Sequence, residues 1–256
     1  MSIIALRAWY LQDYEPISEL EKRSPDIRLS KKSLLKTGLR VDFLEDSDEV
    51  KGSTWFRRYL EGENIEFYIE GSGGYCVANI DLISHEIYFT KQALLAQLEP
   101  TIFFCYQTEY AAASDLLREQ LQESLKTLNL RSRLPLTLVE SSRPSNAPVR
   151  LNRTVMRKIR KSLLFIADTT AITSVDHQET QQLIPSPNVC VEIGYAMESK
   201  KSEQILLAQM QRPELEGQYA FDLHKQQILQ FSDGAELNKI LTGTMENQLT
   251  RFKLFF

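Results

Sequence analysis

The chain has 256 residues, of which 43% are hydrophobic and 25% are charged, proportions that are ordinary for a globular protein. Its formal net charge of −4 gives no general attraction to nucleic acid or to anionic membranes, so neither is an expected partner. No apolar run reaches the length of about 20 residues that spans a bilayer, and the N-terminus does not resemble a signal peptide. The three scattered cysteines predict neither disulfides nor a metal site. We therefore expect a cytoplasmic protein without a metal ion.

The first hundred residues contain stretches in which apolar and polar positions alternate, as in half-buried strands. Residues 65–70 form one such stretch, and a glycine-rich turn at 71–74 leads to predicted strands over 75–82 and 86–90. The simplest interpretation is an antiparallel meander in a small β-rich domain over residues 1–99. Further candidate elements are strands over 1–10 and 39–44, and short helices over 54–60 and 91–98.

From residue 100 onward strands and helices alternate, which is the signature of a parallel sheet with helices on both faces. The predicted strands cover residues 101–106, 136–140, 163–168, 204–208 and 226–231. The predicted helices cover about 109–128, 152–161, 188–199 and 235–252. Five such strands suit a flavodoxin-like sheet of order 2-1-3-4-5, whose ligand crevice lies between the first and third strands. The sequence thus predicts an α/β domain over residues 100–256.

The most informative residues lie at the end of the third strand and in the helix after it. The strand ends in Asp168, and residues 187–196 read Pro-Asn-Val-Cys-Val-Glu-Ile-Gly-Tyr-Ala. Asn188 is a good N-cap residue, so the pattern predicts a helix that starts there and carries Glu192 in its first turn. A carboxylate would then lie near the positive end of the helix dipole, where open α/β sheets bind ligands.

These residues resemble one superfamily, which joins the nucleoside 2-deoxyribosyltransferases to the TIR-like nucleotide-binding domains of bacterial defence systems. Many relatives contain Ala-Asp-(Leu/Val)-Thr, a short loop, and Asn-Pro-Asn-Val-(Phe/Tyr)-x-Glu-(Leu/Ile)-Gly-x-Ala. The resemblance covers about residues 100–256. The chain departs from the pattern in its longer loop after Thr169 and in Ser186, which replaces the first Asn. Residues 1–99 contain no motif that identifies a family.

The resemblance implies that Glu192 is catalytic, because the glutamate of the Glu-(Ile/Leu)-Gly motif acts in N-glycosidic chemistry in this family. Such cleavage develops positive charge on the sugar, which a nearby carboxylate can stabilise or attack. The residues expected to contact the nucleotide are Asp168, Tyr106, Gln107, Asn188 and Tyr195. The structural alternatives are that Glu192 only complements the helix dipole and that the other residues cap turns or pack.

The leading prediction is therefore N-glycosidic cleavage of a nucleotide, most specifically NAD⁺ hydrolysis by a TIR-like effector of antiviral defence. NAD⁺ would be the substrate, with no cofactor, and residues 1–99 would sense a signal or drive assembly of a homo-oligomer. Two alternatives remain: a nucleotide-binding regulatory module without turnover, and a nucleoside 2-deoxyribosyltransferase. An enzyme is expected to direct Glu192 into an open crevice, whereas a scaffold is expected to bury it in a salt bridge.

Two further segments carry weaker signals. The polar loop 170–186 joins Asp168 to the helix of Glu192, so it is predicted to close over the nucleotide as a mobile lid, with a decorative insertion as the alternative. A run of basic residues on or beside the second predicted helix indicates a solvated helix face. The more specific alternative is a contact with a phosphate group or a partner. The run comprises Arg150, Arg153, Arg157, Lys158, Arg160 and Lys161.

Overall fold

The computed structural model describes residues 5–36, 39–92, 95–143, 153–177, 180–219 and 228–256. The chain divides into two compact units, Met1–Leu98 and Glu99–Phe256, one residue before the predicted boundary. Each unit has its own hydrophobic core. Across the described ranges, every helix is too short or too polar to cross a membrane.

The N-terminal unit is a closed antiparallel barrel of six strands, in the order β1-β2-β3-β6-β5-β4. The strands are β1 (Ala5–Tyr10), β2 (Ile27–Lys36), β3 (Leu39–Leu44), β4 (Glu66–Ile69), β5 (Gly73–Asp81) and β6 (Glu86–Lys91). The helices are α1 (Ile17–Leu20), α2 (Ser47–Gly52) and α3 (Thr54–Leu60). The predicted meander is present as β4-β5-β6, but the pairings of β3 with β6 and of β1 with β4 close a barrel instead.

Strand β2 was not predicted from the sequence. It pairs with β1 and β3, and its register against β3 shifts between Ser30 and Leu34. A register irregularity of this kind breaks the alternation of apolar and polar residues, which is the sequence signal for a half-buried strand. The predicted helix over 91–98 is reduced to a 3₁₀ turn over Leu95–Gln97, and residues 93 and 94 lie outside the described part of the chain.

The barrel interior is filled by aromatic side chains. Trp55 of α3 meets Phe67 edge to face with ring centres 5.0 Å apart, and Phe67 meets Phe89 at 6.1 Å. All three side chains are at most 1% exposed. Full burial of a large apolar side chain contributes about 1.5–3 kcal/mol, so this cluster is a main source of the barrel's stability.

The C-terminal unit is built on an all-parallel, five-stranded sheet of order β8-β7-β9-β12-β14. The strands of the unit are β7 (Glu99–Cys105), β8 (Thr137–Glu140), β9 (Ser162–Asp168), β10 (Thr173–His177), β11 (Thr180–Ile184), β12 (Ile205–Met210), β13 (Gln218–Tyr219) and β14 (Ile228–Phe231). The helices are α4 (Ala111–Asn129), α5 (Arg153–Lys161), α6 (Pro187–Ser199) and α7 (Gly234–Leu249). The predicted mixed α/β architecture, with five parallel strands and a separate antiparallel unit, is confirmed.

Helices α5 and α6 pack on one face of the parallel sheet. Ile159 of α5 and Ile193 of α6 share a buried cluster with Phe103 and Phe165, whose rings stack with centres 5.9 Å apart. All seven residues of β9 are buried, as expected for a continuous apolar run in a sheet that is covered on both sides. The same face includes Cys105 at the end of β7, and this places α6 beside the carboxyl edge of the sheet.

The segment predicted to be an irregular lid contains strands of its own. Strands β10 and β11 pair as an antiparallel hairpin, and β13 adds to β11 in parallel. Leu183 of β11 is buried, and the Tyr219 hydroxyl of β13 donates a hydrogen bond to the Thr169 carbonyl at 3.0 Å. The interpretation of this segment as a loop was therefore wrong: β10 and β11 pair locally although most of their residues are polar, and β13, which extends them, lies more than thirty residues away in sequence. Residues 178 and 179 lie outside the described residues, and closure over a ligand stays a prediction.

The basic run forms the outer face of α5. Val155 and Ile159 are its buried residues, while Arg153, Arg157, Lys158 and Arg160 are exposed. Lys161 pairs with Glu99 of β7 at 2.9 Å. This is the arrangement of a solvated helix face; Arg150 lies outside the described residues.

Candidate functional site

The candidate site lies where β7 and β9 end side by side. Cys105 of β7 is the register partner of Ala167 of β9, and both belong to the cluster that packs under α6. Ligands of open α/β sheets bind at the carboxyl ends of the strands, so this edge is where a functional side chain is expected. The side chain of α6 that reaches it is Glu192, which is 1% exposed.

Helix α6 begins earlier than predicted. Its N-cap is Ser186 and its first residue is Pro187, a residue that favours this position, so Asn188 is the second helical residue and its prediction as the N-cap was wrong. Glu192 consequently lies in the second turn, and the first turn contains no acidic residue. Because the effect of the helix dipole falls off within the first turn, simple dipole complementation does not explain Glu192.

The carboxylate of Glu192 forms a buried salt bridge with Arg143. Arg143 Nη1 donates to Glu192 Oε1 at 2.5 Å, and the two side chains are 3% and 1% exposed. Burial lowers the pKa of the Arg143 guanidinium, but the hydrogen bond to Glu192 and its charge raise that pKa, and the net direction is upward. The guanidinium therefore keeps its charge beside Glu192, and both side chains are shielded from water in this arrangement.

The other oxygen of Glu192, Oε2, is buried and makes no hydrogen bond of ordinary geometry within the described residues. The Cys105 thiol lies beside the carboxylate; its burial, followed by the charge of Glu192, raises the pKa of Cys105 well above its usual range. A neutral thiol is only a weak donor. An unsatisfied buried polar atom costs about 1–3 kcal/mol, more when charged, so Oε2 is an acceptor that the fold leaves without a full partner.

Arg143 is held in place by the end of β7. Its Nε donates to the Tyr106 carbonyl at 3.1 Å, and its guanidinium lies 5.6 Å from the centre of the Tyr106 ring. The guanidinium of Arg118 lies 4.9 Å from the same ring. Tyr106, a predicted ligand contact, is thus placed next to Glu192 through Arg143.

Asp168 and Gln107 belong to a second, fully buried network. Asp168 accepts hydrogen bonds from Ser114 Oγ at 2.6 Å and from the Thr170 amide at 3.0 Å. The Gln107 amide donates to Ser114 Oγ at 3.0 Å, and its side-chain nitrogen donates to the Thr170 carbonyl at 2.9 Å. Burial raises the pKa of Asp168, and the hydrogen bonds from Ser114 and Thr170 oppose that shift. In this arrangement both side chains join the turns after β7 and β9 and do not face an open crevice.

The remaining predicted residues are placed on α6. Asn188 is half-buried at the second helical position, and Tyr195 packs against the core cluster beneath the helix. The structure therefore brings Glu192 and Tyr106 together around Arg143, joins Asp168 with Gln107, and places Tyr195, partly buried, against the core.

Two residues at this edge were missed by the sequence reasoning. Arg143 lies in a loop rich in Ser, Pro and Asn, 49 residues before its partner, so no local pattern signals the pair. Glu109 accepts a hydrogen bond from Ser186 Oγ at 2.9 Å and so ties the turn after β7 to the start of α6. Burial raises the pKa of Glu109, but hydrogen bonds from the backbone and Ser186 lower it overall.

No metal centre is evident among the described residues, since they contain no group of three or more His, Cys, Asp or Glu suited to hold an ion. Comparisons of the chain with protein-family models, curated proteins and solved structures found no match. The resemblance to the TIR-like and deoxyribosyltransferase superfamily therefore rests on Asp168, residues 187–196 and the strand predicted over 204–208, and it stays a prediction.

Proposed function

We propose that the C-terminal unit cleaves the N-glycosidic bond of a nucleotide, with Glu192 as the catalytic carboxylate and NAD⁺ as the substrate. The observation that carries this proposal is the state of Glu192. One oxygen is fixed by Arg143, while the other is buried at the ligand-binding edge of the sheet without a hydrogen bond in the described residues. A structural ion pair ordinarily satisfies both oxygens, because burying an unpaired one is costly.

The chemistry requires little beyond this carboxylate. When the bond between the sugar C1′ and the nicotinamide nitrogen breaks, the bonding pair stays with nitrogen and the base leaves neutral, so it needs no proton. The sugar retains the positive charge, which a carboxylate oxygen near C1′ stabilises or captures as an ester. Water then adds at C1′ and releases a proton, which completes hydrolysis. Before substrate arrives, Arg143 holds the carboxylate through Oε1, and Oε2 is the oxygen assigned to the sugar.

The strand order of the parallel sheet also supports the proposal. Strand β7 has β8 on one side and β9 on the other, so the winding of the sheet reverses there, and such switch points are where open α/β sheets bind ligands. Counting the five parallel strands alone, this arrangement supports a flavodoxin-like, TIR-like assignment of order 2-1-3-4-5. The TIR-like resemblance in turn is the reason to name NAD⁺ among possible nucleotides.

The proposal includes a movement of Arg143. With exposures of 3% and 1%, the paired side chains leave no path for a sugar to reach Oε2. The nicotinamide ring of NAD⁺ is itself cationic. When Arg143 moves away from Glu192, the ring of the arriving substrate would therefore supply the positive charge that Arg143 had provided. Exchange of one cation for another keeps the buried carboxylate neutralised throughout binding.

A second candidate is a nucleotide-binding regulatory module without turnover, and a specific observation favours it. Glu192 is buried in a salt bridge, which is the arrangement expected of a scaffold and not of an open active site. Under this alternative the pair is purely structural and Oε2 has no ligand. No contact in the described residues favours a deoxyribosyltransferase over these two candidates.

The test is incubation of the purified full-length protein with NAD⁺, NADP⁺, nucleosides and deoxynucleosides, with free base followed by chromatography and binding by calorimetry. Release of nicotinamide at a rate that scales with protein concentration supports the proposal. Base exchange between deoxynucleosides would instead identify a transferase. Saturable binding without products would identify the regulatory module, and the lack of both binding and products would contradict every nucleotide-based candidate.

A further inference from the structure

A polar cluster at one end of the barrel takes no part in the proposed nucleotide site. Strand pairing places Arg40 of β3 opposite Phe89 of β6, and Tyr75 of β5 opposite Lys91 of β6. Directly paired residues share a face, and residues two apart on a strand also share it. Phe89 is a core residue, so Arg40, Tyr75 and Lys91 line the inner face of the barrel. Lys91 is exposed at this end of the barrel, whereas the Arg40 and Tyr75 side chains are mostly buried.

Arg40 is fixed here by a buried carboxylate. Arg40 Nε donates to Asp42 Oδ2 at 2.6 Å and Nη2 donates to Oδ1 at 3.0 Å, while Asp42 itself is fully buried. This bidentate geometry uses one edge of the guanidinium. The remaining nitrogen, Nη1, donates to Ser72 Oγ and lies 3.4 Å from the Tyr75 hydroxyl.

Lys91 supplies a second cation at the same point. Its Nζ lies 3.3 Å from the Tyr75 hydroxyl and 4.4 Å from the centre of that ring, and it donates to the Ser72 carbonyl. None of the ion pairs formed by described residues uses Lys91, and Glu70, two residues before Ser72 in sequence, is paired with Arg7. The cluster therefore holds two cations and one carboxylate, an excess of one positive charge.

Two further observations concern the space around the cations and the stabilisation of a negatively charged oxygen atom beside them. Burial raises the pKa of Tyr75, but hydrogen bonds with Ser72, Arg40 and Lys91 lower it overall. Gly73 has a φ of +101°, and a Cβ there would lie 3.0 Å from Lys91 Nζ and 3.5 Å from Gln97 Nε2. A side chain at this position would displace the ammonium group, so glycine preserves the space around it.

We propose that this end of the barrel binds the phosphate group of a small molecule through Arg40, Ser72, Tyr75 and Lys91. These residues offer an Arg nitrogen, a Lys ammonium and two hydroxyls that now hydrogen-bond one another, with Ser72 Oγ 2.7 Å from the Tyr75 hydroxyl, and a phosphate would replace those mutual hydrogen bonds. A phosphate presents oxygens on every side of its phosphorus atom and can accept from donors that lie out of one plane, whereas the acceptor sites of a carboxylate lie in a single plane. The net charge of −4 argues against a long polyanion as the ligand. This inference does not depend on the proposed function of the C-terminal unit.

The test is a calorimetric titration of the full-length protein with inorganic phosphate and with glycerol 3-phosphate, against chloride at equal ionic strength. We expect saturable binding of at least one phosphate compound, weakened about tenfold or more by Lys91→Gln, since a hydrogen bond to a charged group is lost. Lys51→Gln is the matched control, because Lys51 is an exposed barrel lysine outside the cluster. Thermal unfolding of each variant verifies that it is folded.

Each outcome of this titration bears on the proposal. Binding of both compounds assigns the site to phosphate monoesters, and binding of inorganic phosphate alone assigns it to the free ion. A second variant, Tyr75→Phe, removes a single hydroxyl and should weaken binding less than Lys91→Gln does. No saturable response beyond that of chloride, or equal weakening by Lys51→Gln and Lys91→Gln, would overturn the proposal.

Discussion

Among the described residues, each unit contains one arginine–carboxylate pair in which both side chains are largely buried, and the two pairs are satisfied differently. In the barrel, both oxygens of Asp42 accept hydrogen bonds from Arg40, and the side chains are 13% and 0% exposed. In the C-terminal unit, Glu192 uses only Oε1 for Arg143, and Oε2 stays without a partner in the described residues. The comparison teaches that burial alone does not distinguish a structural pair from a functional one. The two pairs differ in the second carboxylate oxygen, and the proposed function assigns that oxygen of Glu192 to the ligand.

The largest expected effect is on the satisfied pair. Asp42→Ala removes the carboxylate and leaves the Arg40 guanidinium mostly buried without a counter-charge, so we expect the free energy of unfolding to fall by about 3 kcal/mol. Urea denaturation followed by tryptophan fluorescence measures this, since Trp55 lies in the barrel core. Asp48→Ala is the control, because its pair with Lys51 is exposed and such pairs contribute about 0–1 kcal/mol. Equal losses in the two variants would show that the Arg40–Asp42 pair does not stabilise the barrel.

A smaller effect is expected in the network that holds Asp168. Ser114→Ala removes a hydroxyl that donates to Asp168 and accepts from the Gln107 amide, so two buried groups lose a partner. We expect a loss of about 2 kcal/mol in the free energy of unfolding, measured by urea denaturation. If Asp168 contacts the nucleotide directly, ligand binding will also weaken at temperatures where the variant is fully folded. Unchanged binding there would leave Asp168 with a structural role only.

The smallest effect concerns Lys200, a half-buried cation without a carboxylate partner in the described residues, whose Nζ donates to the Ser162 carbonyl at 2.5 Å. Burial lowers its pKa from 10.5 to about 8. Between pH 8 and pH 10.5 the unfolded chain binds more protons at Lys200 than the folded chain does. The free energy of unfolding therefore rises with pH in this range, and below pH 8 the full cost of burying the charged ammonium group is present.

Lys200→Met removes that penalty but also a hydrogen bond, so we expect a net gain of about 1 kcal/mol in the free energy of unfolding at pH 7. The gain over the wild type should shrink as pH rises from 8 towards 10.5, and reverse to a small loss there. Urea denaturation of both proteins across that pH range measures the difference. A difference that does not change with pH would show that the Lys200 pKa is not lowered.

Local sequence patterns were sufficient to predict the parallel sheet but not its additions. The apolar run that ends at Asp168 predicts a buried strand on its own, because a strand covered on both faces needs no alternation. Strand β2 breaks its alternation with a register shift, and the β10–β11 hairpin is completed by β13, which is distant in sequence. The start of α6 was misplaced by two residues, because Asn188 and Ser186 are both good N-cap residues and Pro187 suits the position between a cap and a helix.

The candidate site was predictable only in part, for the same physical reason. Glu192 is recognisable from the residues beside it in sequence, since they carry the family resemblance. Arg143 is not, because its role arises from a contact across 49 residues. The sequence predicts that Glu192 faces an open crevice, whereas the contact with Arg143 covers it. Arg143 bonds only Oε1, and the proposed function rests on the other oxygen, Oε2, which has no partner in the described residues.

The most direct test compares base release by the wild type, Glu192→Gln and Glu198→Gln, an exposed control on the same helix. Glutamine retains an oxygen that can accept from Arg143, so the variant should remain folded and bind NAD⁺, which thermal unfolding and calorimetry verify. Loss of the charge that stabilises the sugar cation should slow nicotinamide release at least tenfold, equivalent to about 1.4 kcal/mol in the barrier, while Glu198→Gln stays unchanged. Release by folded Glu192→Gln within about threefold of the wild type would contradict the assignment of Glu192 as the catalytic carboxylate.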